Sequence, residues 1–241
     1  MFAAHGYTVR TRYKDADIIY VSPSHMNRQG DVMPIQRRLE LCAHSADTGA
    51  VVIEDDFEND FLYSSTPTPS LYALGSGNVV YMGAFSALLL PGIRISFMVL
   101  SPALAAAYHQ MKDTFAQTAS KTEQIALCAY LRDGNMKSRT KKIRRLYTGK
   151  AKTLCALLAK ALPDHPVRVG ENGLQVQIET PMLPDSAPFE QAGLALYIVK
   201  EKSGKNLVVV SPSAVPADRL EEASHAVAAA LYKAEEAAKS K

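Results

Sequence analysis

Val80-Tyr-Met-Gly-Ala-Phe-Ser-Ala-Leu-Leu-Leu-Pro-Gly-Ile-Arg94 decides how this chain folds. An apolar run over 78–82 reads as a buried strand, and Gly83 turns the chain at its carboxyl end. Three consecutive leucines, Leu88, Leu89 and Leu90, favour a closed apolar site, and Pro91-Gly92 break the run before Arg94. A further strand is predicted over 93–100. Upstream, 17–22 and 50–54 are short apolar strands, the second ending in Asp55-Asp56. Between them 33–46 reads as a helix with apolar Ile35, Leu39, Leu41 and Cys42, closed by Thr48-Gly49. Residues 64–78, rich in Ser, Thr, Pro and Gly, read as a long loop. Strands of this kind alternating with helices indicate a mainly parallel sheet covered on both faces. Such sheets place ligands beyond the carboxyl ends of their strands, where Asp55 and the Gly83 turn both fall.

Downstream the pattern becomes helical, over 103–118, 121–132 and 135–162. The last of these carries an apolar face of Met136, Ile143, Leu146, Tyr147, Leu154, Leu158 and Leu162. Its lysines and arginines lack interleaved aromatics, so they read as a solvated helix surface. Short apolar runs over 167–169, 173–179 and 207–210, a helix near 189–196 and a terminal helix from about Ala217 predict a small α/β domain. The organisation is thus a partial large domain over 1–134, an interdomain helix over 135–162 and a small C-terminal domain over 163–241.

Composition narrows the classes. The 241 residues are 47% hydrophobic and 21% charged, ordinary for a globular chain with a sizeable core. A formal charge of +3 gives no argument for nucleic acid or anionic membrane. Cys42, Cys128 and Cys155 stand apart without metal-ligand spacing and read as free thiols in a reducing compartment. No apolar run approaches the about 20 residues of a spanning helix, and no secretory signal opens the chain. A soluble, cytoplasmic protein without a metal site is expected.

Three motifs stand in order: Asp17-Ile-Ile-Tyr-Val-Ser-Pro-Ser-His25, Val52-Ile-Glu-Asp-Asp-Phe-Glu-Asn-Asp-Phe61, and the stretch around Ala87. Together they resemble fold-type-I pyridoxal-phosphate enzymes, above all the aminotransferase-like domain of MocR-group GntR transcription regulators. That group reads approximately G-T-F-S-K-x-L-x-P-G-L-R over the third motif. The resemblance runs from about Ile18 to the C-terminal helix. It implies an α/β fold, a partial fold-type-I large domain with covering helices plus a small C-terminal α/β domain.

The resemblance also assigns roles. Asp55 matches the carboxylate that pairs with the cofactor's pyridine nitrogen; alternatively it caps strand-end amides. Arg94 matches the phosphate-binding arginine, with an ion pair to Asp56, Glu58 or Asp60 as the alternative. Ser86 keeps its place in the family pattern, and His25 keeps the family histidine, a position at a strand end that is more often a hydrogen-bonded structural residue than a catalyst. Phe57 stands where the family has a tyrosine, keeping the ring and losing the hydroxyl. Ala84 replaces a phosphate-binding hydroxyl, and Ala214 stands where a substrate-clamping arginine is usual. Most consequentially, Ala87 occupies the position of the Schiff-base lysine, and an alanine has no amine.

Three readings follow. The first is a catalytically inert effector and dimerisation domain derived from a MocR/GntR-type regulator. It would form a homodimer, bind an amino-acid-like or anionic effector, and hold pyridoxal phosphate noncovalently or not at all. The second is a functional pyridoxal-phosphate aminotransferase that takes missing parts from another chain. The third is an interaction module whose old cleft is filled by side chains. Sixteen residues before Asp17 cannot hold a winged-helix DNA-binding domain, so the chain is expected to be the later portion of a regulator or aminotransferase.

Overall fold

The computed structural model describes residues 8, 12–56, 68–75, 78–86, 88–89, 91–114, 116, 118–201 and 203–239. The described residues of Met1–Ser24, Met33–Glu58 and Pro67–Asp133 form one compact unit. Those of His25–Val32 and Gly134–Lys241 form the other.

The first unit is built on a four-stranded sheet, β1 (Ile18–Val21), β2 (Val51–Asp55), β3 (Asn78–Ala84) and β4 (Ser96–Val99), in that spatial order. β1, β2 and β3 are parallel, and β4 returns antiparallel to β3. One helix, α1 (Ile35–Thr48), covers one face. Gly49, at φ 78°, takes the left-handed conformation that ends α1, and its N–H bonds to Ser45. Ser45 Oγ then donates to the Ala50 carbonyl at 2.7 Å and accepts from Asn78 N at 2.9 Å, tying the helix end to the starts of β2 and β3. Buried Leu41 and Cys42 of α1 pack with Ile19, Val52, Leu71 and Val79.

The buried stripe of α1 is Arg38, Leu41, Cys42 and Ser45. Ile35 and Leu39, expected on the apolar face, are 44% and 45% exposed. Arg38 displaces them because its guanidinium is fully provided for. It donates to the carbonyls of Met33 at 3.1 Å, Pro69 at 3.0 Å and Pro23 at 3.4 Å. It also lies 4.0 Å from the Glu54 carboxylate. The expectation of a doubly covered sheet needs correcting too. Ile18, Tyr20 and Met98, on the face away from α1, are each more than half exposed. The helices α2 (Pro102–Met111) and α3 (Lys121–Arg132) bury one side chain between them, Leu127.

The second unit carries an antiparallel sheet, β5 (Val167–Val169), β6 (Val176–Thr180), β8 (Asn206–Val210) and β7 (Tyr197–Lys200), in that spatial order. The strand β7 lies just beyond the run read as helix; only Ala187–Gln191, α5, is helical there. The long α4 (Asn135–Ala161) and α6 (Leu220–Lys239) pack together, with Leu154, Leu158, Val176, Ile178, Phe189, Val208 and Leu231 in one core. Of the predicted apolar face of α4, Leu146 is 51% exposed. Near the helix ends His165 Nε2 meets Glu235 Oε1 at 2.9 Å, both buried.

The loop 25–32 is bound into this unit. Gln177 Nε2 donates to the Gln29 carbonyl at 2.7 Å, Asn172 N to Gly30 O at 3.0 Å, and Val32 N to Glu171 Oε2 at 2.9 Å. Arg28 stacks on the Tyr197 ring at 4.6 Å. Gly30, at φ 84°, allows this close approach, since a Cβ there would stand 2.5 Å from Asn172 Oδ1 and 2.6 Å from Gln175 Oε1.

Two stability measurements check these assignments. In urea unfolding, Arg38→Met is expected to cost about 3–5 kcal/mol, because it leaves the Glu54 carboxylate buried without its cation. Arg37→Met, which removes an exposed pair to Glu40, is expected to cost under about 1 kcal/mol. Gly30→Ala is expected to destabilise more than Gly204→Ala. Both glycines have positive φ, at a cost of about 1–2 kcal/mol for alanine, but nothing lies within 4 Å of a Cβ at Gly204.

Candidate functional site

Consecutive carboxylates end β2 and separate by the alternation of a strand. Glu54 turns toward α1 and is fully buried. It accepts from the backbone N–H of Leu71 at 2.9 Å and Tyr72 at 3.0 Å. Burial pushes its carboxyl above the usual carboxylate range, the two amides working against that shift. Burial likewise lowers the guanidinium of Arg38, with Glu54 and Asp56 opposing. Asp56, on the same side, accepts from Ser24 Oγ at 2.6 Å, and its N–H bonds to Met82 O at 2.9 Å.

Asp55 points the other way. Its side chain accepts a hydrogen bond from the hydroxyl of Tyr20 on β1, and its carbonyl accepts from Ser22 Oγ at 3.0 Å. The Tyr20 phenol is thereby pushed up to about 12, first by burial and then by the hydrogen bond and charge of Asp55. Neither Tyr20 nor Ser22 stood out in the sequence as a site residue. The signal lay in the parallel register, which sets Tyr20 beside Ile53, two residues from Asp55 on the same face.

The link from β3 to β4 is a hairpin. Ala84 pairs with Ser96, and Phe85 N donates to Ile95 O at 3.0 Å. Leu89 N donates back to Phe85 O at 2.9 Å, and Leu88 is buried. Phe97 lies against Gly83, where a Cβ would meet its ring at 2.6 Å, and stacks obliquely with Phe85 at 5.3 Å. The half-buried Ser86 and the exposed Arg94 stand at the two ends of this link. Arg94 has φ 45°, the only positive value at a non-glycine among the described residues. That conformation costs a non-glycine residue about 1 kcal/mol or more and is concentrated at ligand sites. Among the described residues Arg94 forms no ion pair, so the expected alternative, a bridge to Asp56, is not made. Glu58 and Asp60 lie outside the described residues.

Asp55, Ser86 and Arg94 therefore share one end of one sheet, the carboxyl end of its parallel strands. His25 belongs instead with the second unit. Ala87 and Phe57 lie outside the described residues. Among the described residues no group of His, Cys, Asp and Glu could hold a metal ion, and no helix is long and apolar enough to cross a membrane. Asp55 offers a carboxylate suited to a planar cationic ring, and Arg94 a guanidinium suited to an anion. The sequence has no lysine between Lys14 and Lys112.

Comparison with known proteins gives the family and the fold. Residues 10–211 match the family Aminotransferase class I and II. An HTH-type transcriptional regulator of Bacillus subtilis, YdeL, is 32% identical over 205 residues, 84% of this chain and 42% of the regulator. The rhizopine catabolism regulatory protein MocR of Rhizobium meliloti is 30% identical over 67% of this chain and 33% of its own length. The chain thus spans less than half the length of these relatives. Among solved structures, α-aminoadipate aminotransferase LysN of Thermus thermophilus, complexed with N-(5'-phosphopyridoxyl)-L-leucine, has a TM-score of 0.73 at 25% identity. That match covers 90% of this chain and 59% of LysN. A multiple substrate aminotransferase of Thermococcus profundus shares the fold with a TM-score of 0.74 at 22% identity, over 98% of this chain and 59% of its own.

A tyrosinate absorbance titration tests the Tyr20–Asp55 contact. Tyr20 is expected to ionise late, near 12, and Tyr20→Phe is expected to abolish that phase. Asp55→Asn should move it down toward the ordinary 10.0. Because the folded value is the higher one, the contact stabilises the fold fully below pH 10.0 and loses that contribution as pH rises through about 12.

Proposed function

The chain belongs to the class I and II aminotransferase family, and from that membership we propose that it is a catalytically inert effector and dimerisation domain of MocR/GntR-regulator type. The observation that carries this reading is Ala87. Around it Phe85, Ser86, Pro91, Gly92 and Arg94 keep the family pattern, while the one residue that must supply an amine is an alanine. Phe57, Ala84 and Ala214 remove further polar groups. The likeness to YdeL and MocR supports a regulatory ancestry.

Pyridoxal phosphate, when bound in this family, supplies an electrophilic carbonyl and a ring that accepts electrons. Here Arg94 would hold its phosphate by charge-assisted hydrogen bonds and Asp55 its protonated ring nitrogen. Ser86 would add a hydroxyl near the phosphate. No group of the chain at position 87 can join the cofactor covalently. Binding would then report occupancy, as an effector does, without turning over a substrate. The domain so described works as a cytoplasmic homodimer that recognises an amino-acid-like or anionic effector.

An absorbance titration with pyridoxal phosphate, followed by borohydride reduction and intact mass, tests the proposal. The chain is expected to yield no reduced adduct, whereas A87K is expected to yield one per chain. Arg94→Ala should weaken the noncovalent binding about tenfold. A single cofactor mass trapped at one lysine of the unaltered chain would overturn inertness in favour of a working aminotransferase.

A further inference from the structure

Tyr20 meets Asp55 under unequal constraints. The Asp55 backbone is fixed on both sides, by the β2–β3 register that pairs it with Met82 and by Ser22 Oγ on its carbonyl. Asp56 N, bonded to Met82 O, extends the same ladder by one residue. Tyr20 projects from β1 on the face away from α1 and is 55% exposed. Its ring is therefore held over the carboxylate chiefly by the hydroxyl's own hydrogen bond. A half-exposed aromatic can change rotamer at small packing cost, while the Asp55 backbone stays held in the ladder.

A phenol and a pyridinium offer Asp55 the same thing, one polar hydrogen on a planar ring. The pyridinium adds a full positive charge, so an ion pair is added to a hydrogen bond that the ionised carboxylate already strengthens with either donor. We propose that Tyr20 is a displaceable cap on Asp55, which holds the carboxylate in the ligand-free chain and yields it to a planar ring bearing a protonated nitrogen. The proposal rests on the reading of Asp55 given above and names how that site is regulated. Tyr20 then acts as a specificity-determining residue. A ligand that carries only phosphate engages Arg94 and leaves the cap in place. A ligand that carries both phosphate and cationic ring removes it.

The apparent affinity of such a site is reduced by the fraction of chains in which the carboxylate is free. Removing the cap therefore tightens binding, the opposite of what loss of a merely structural or ligand-contacting residue does. Dissociation constants for pyridoxal phosphate and for inorganic phosphate would be measured on the unaltered chain, Y20F, D55N and the double variant. Tyrosine labelled with ¹³C at Cζ would be followed in parallel, Y20F assigning the Tyr20 resonance. Y20F is expected to bind pyridoxal phosphate about threefold to tenfold more tightly. Inorganic phosphate should bind both chains alike, and Y20F should add nothing in the D55N background. The Tyr20 resonance should move toward that of free tyrosine with pyridoxal phosphate and stay unmoved with inorganic phosphate.

Equal or weaker binding by Y20F, with an unmoved Tyr20 resonance, overturns the cap. If D55N then still loses affinity, the role of Asp55 stands without the cap. If no variant, Y20F included, binds pyridoxal phosphate, both fall together. Y20F keeps the ring, and a cooperative thermal transition lowered by no more than the loss of one hydrogen bond confirms that comparison.

Discussion

The pairing of Arg38 with Glu54 in a region with almost no solvent is the constraint on which the first unit depends. Two charges are withdrawn from water there, and their approach of 4.0 Å does not repay that alone. The remaining valences do. The guanidinium reaches three loop carbonyls, at Pro23, Met33 and Pro69, and the carboxylate takes two amides, at Leu71 and Tyr72. Five backbone groups in irregular segments thus find partners that no sheet or helix would supply. The segment that follows β1 and the one that precedes β3 are positioned by one ion pair. Asp55 follows from it, because fixing Glu54 inward forces its neighbour onto the opposite face.

The parts of this fold legible in the sequence were those written in local patterns. Apolar runs marked β1, β2 and β3, Gly49 marked the end of α1, and the resemblance around Ala87 gave the architecture. What stayed hidden depended on distant partners. Arg38 reads as a solvated helix residue, since its carbonyl partners come from separate loops. Ile35 and Leu39, apolar at helical spacing, are instead substantially exposed. Strand β7 spans only Tyr197–Lys200, too few residues for alternation to mark it. In the site, the resemblance named Asp55, Ser86 and Arg94, which the sheet brings to one end. It did not name Tyr20, whose role needs the parallel register, and His25 belongs with the other unit.

At the carboxyl end of the first sheet, Asp55 and Arg94 present opposite charges. Arg94 stands in a backbone conformation that costs energy, and Asp55 ends a buried strand with its carboxylate turned to the open face. Both features suit recognition of a ligand that is positive at one end and negative at the other. Neither forms a covalent bond. Both positions are set by the backbone, Asp55 by sheet register and Arg94 by hairpin geometry.

The clasp on loop 25–32 has a consequence for how the chain reaches its native state. Gln29 and Gln177 are 148 positions apart, and Val32 and Glu171 are 139 apart. The second unit therefore incorporates a segment synthesised long before the rest of it, and its contact order is correspondingly high. A polypeptide beginning at Gly134 would hold β5 to β8, α4 and α6, yet leave Asn172, Gln177 and Tyr197 facing the place of an absent loop. Chain growth thus leaves the clasp as one of the last non-local closures, made only once β6 has emerged and found its partners.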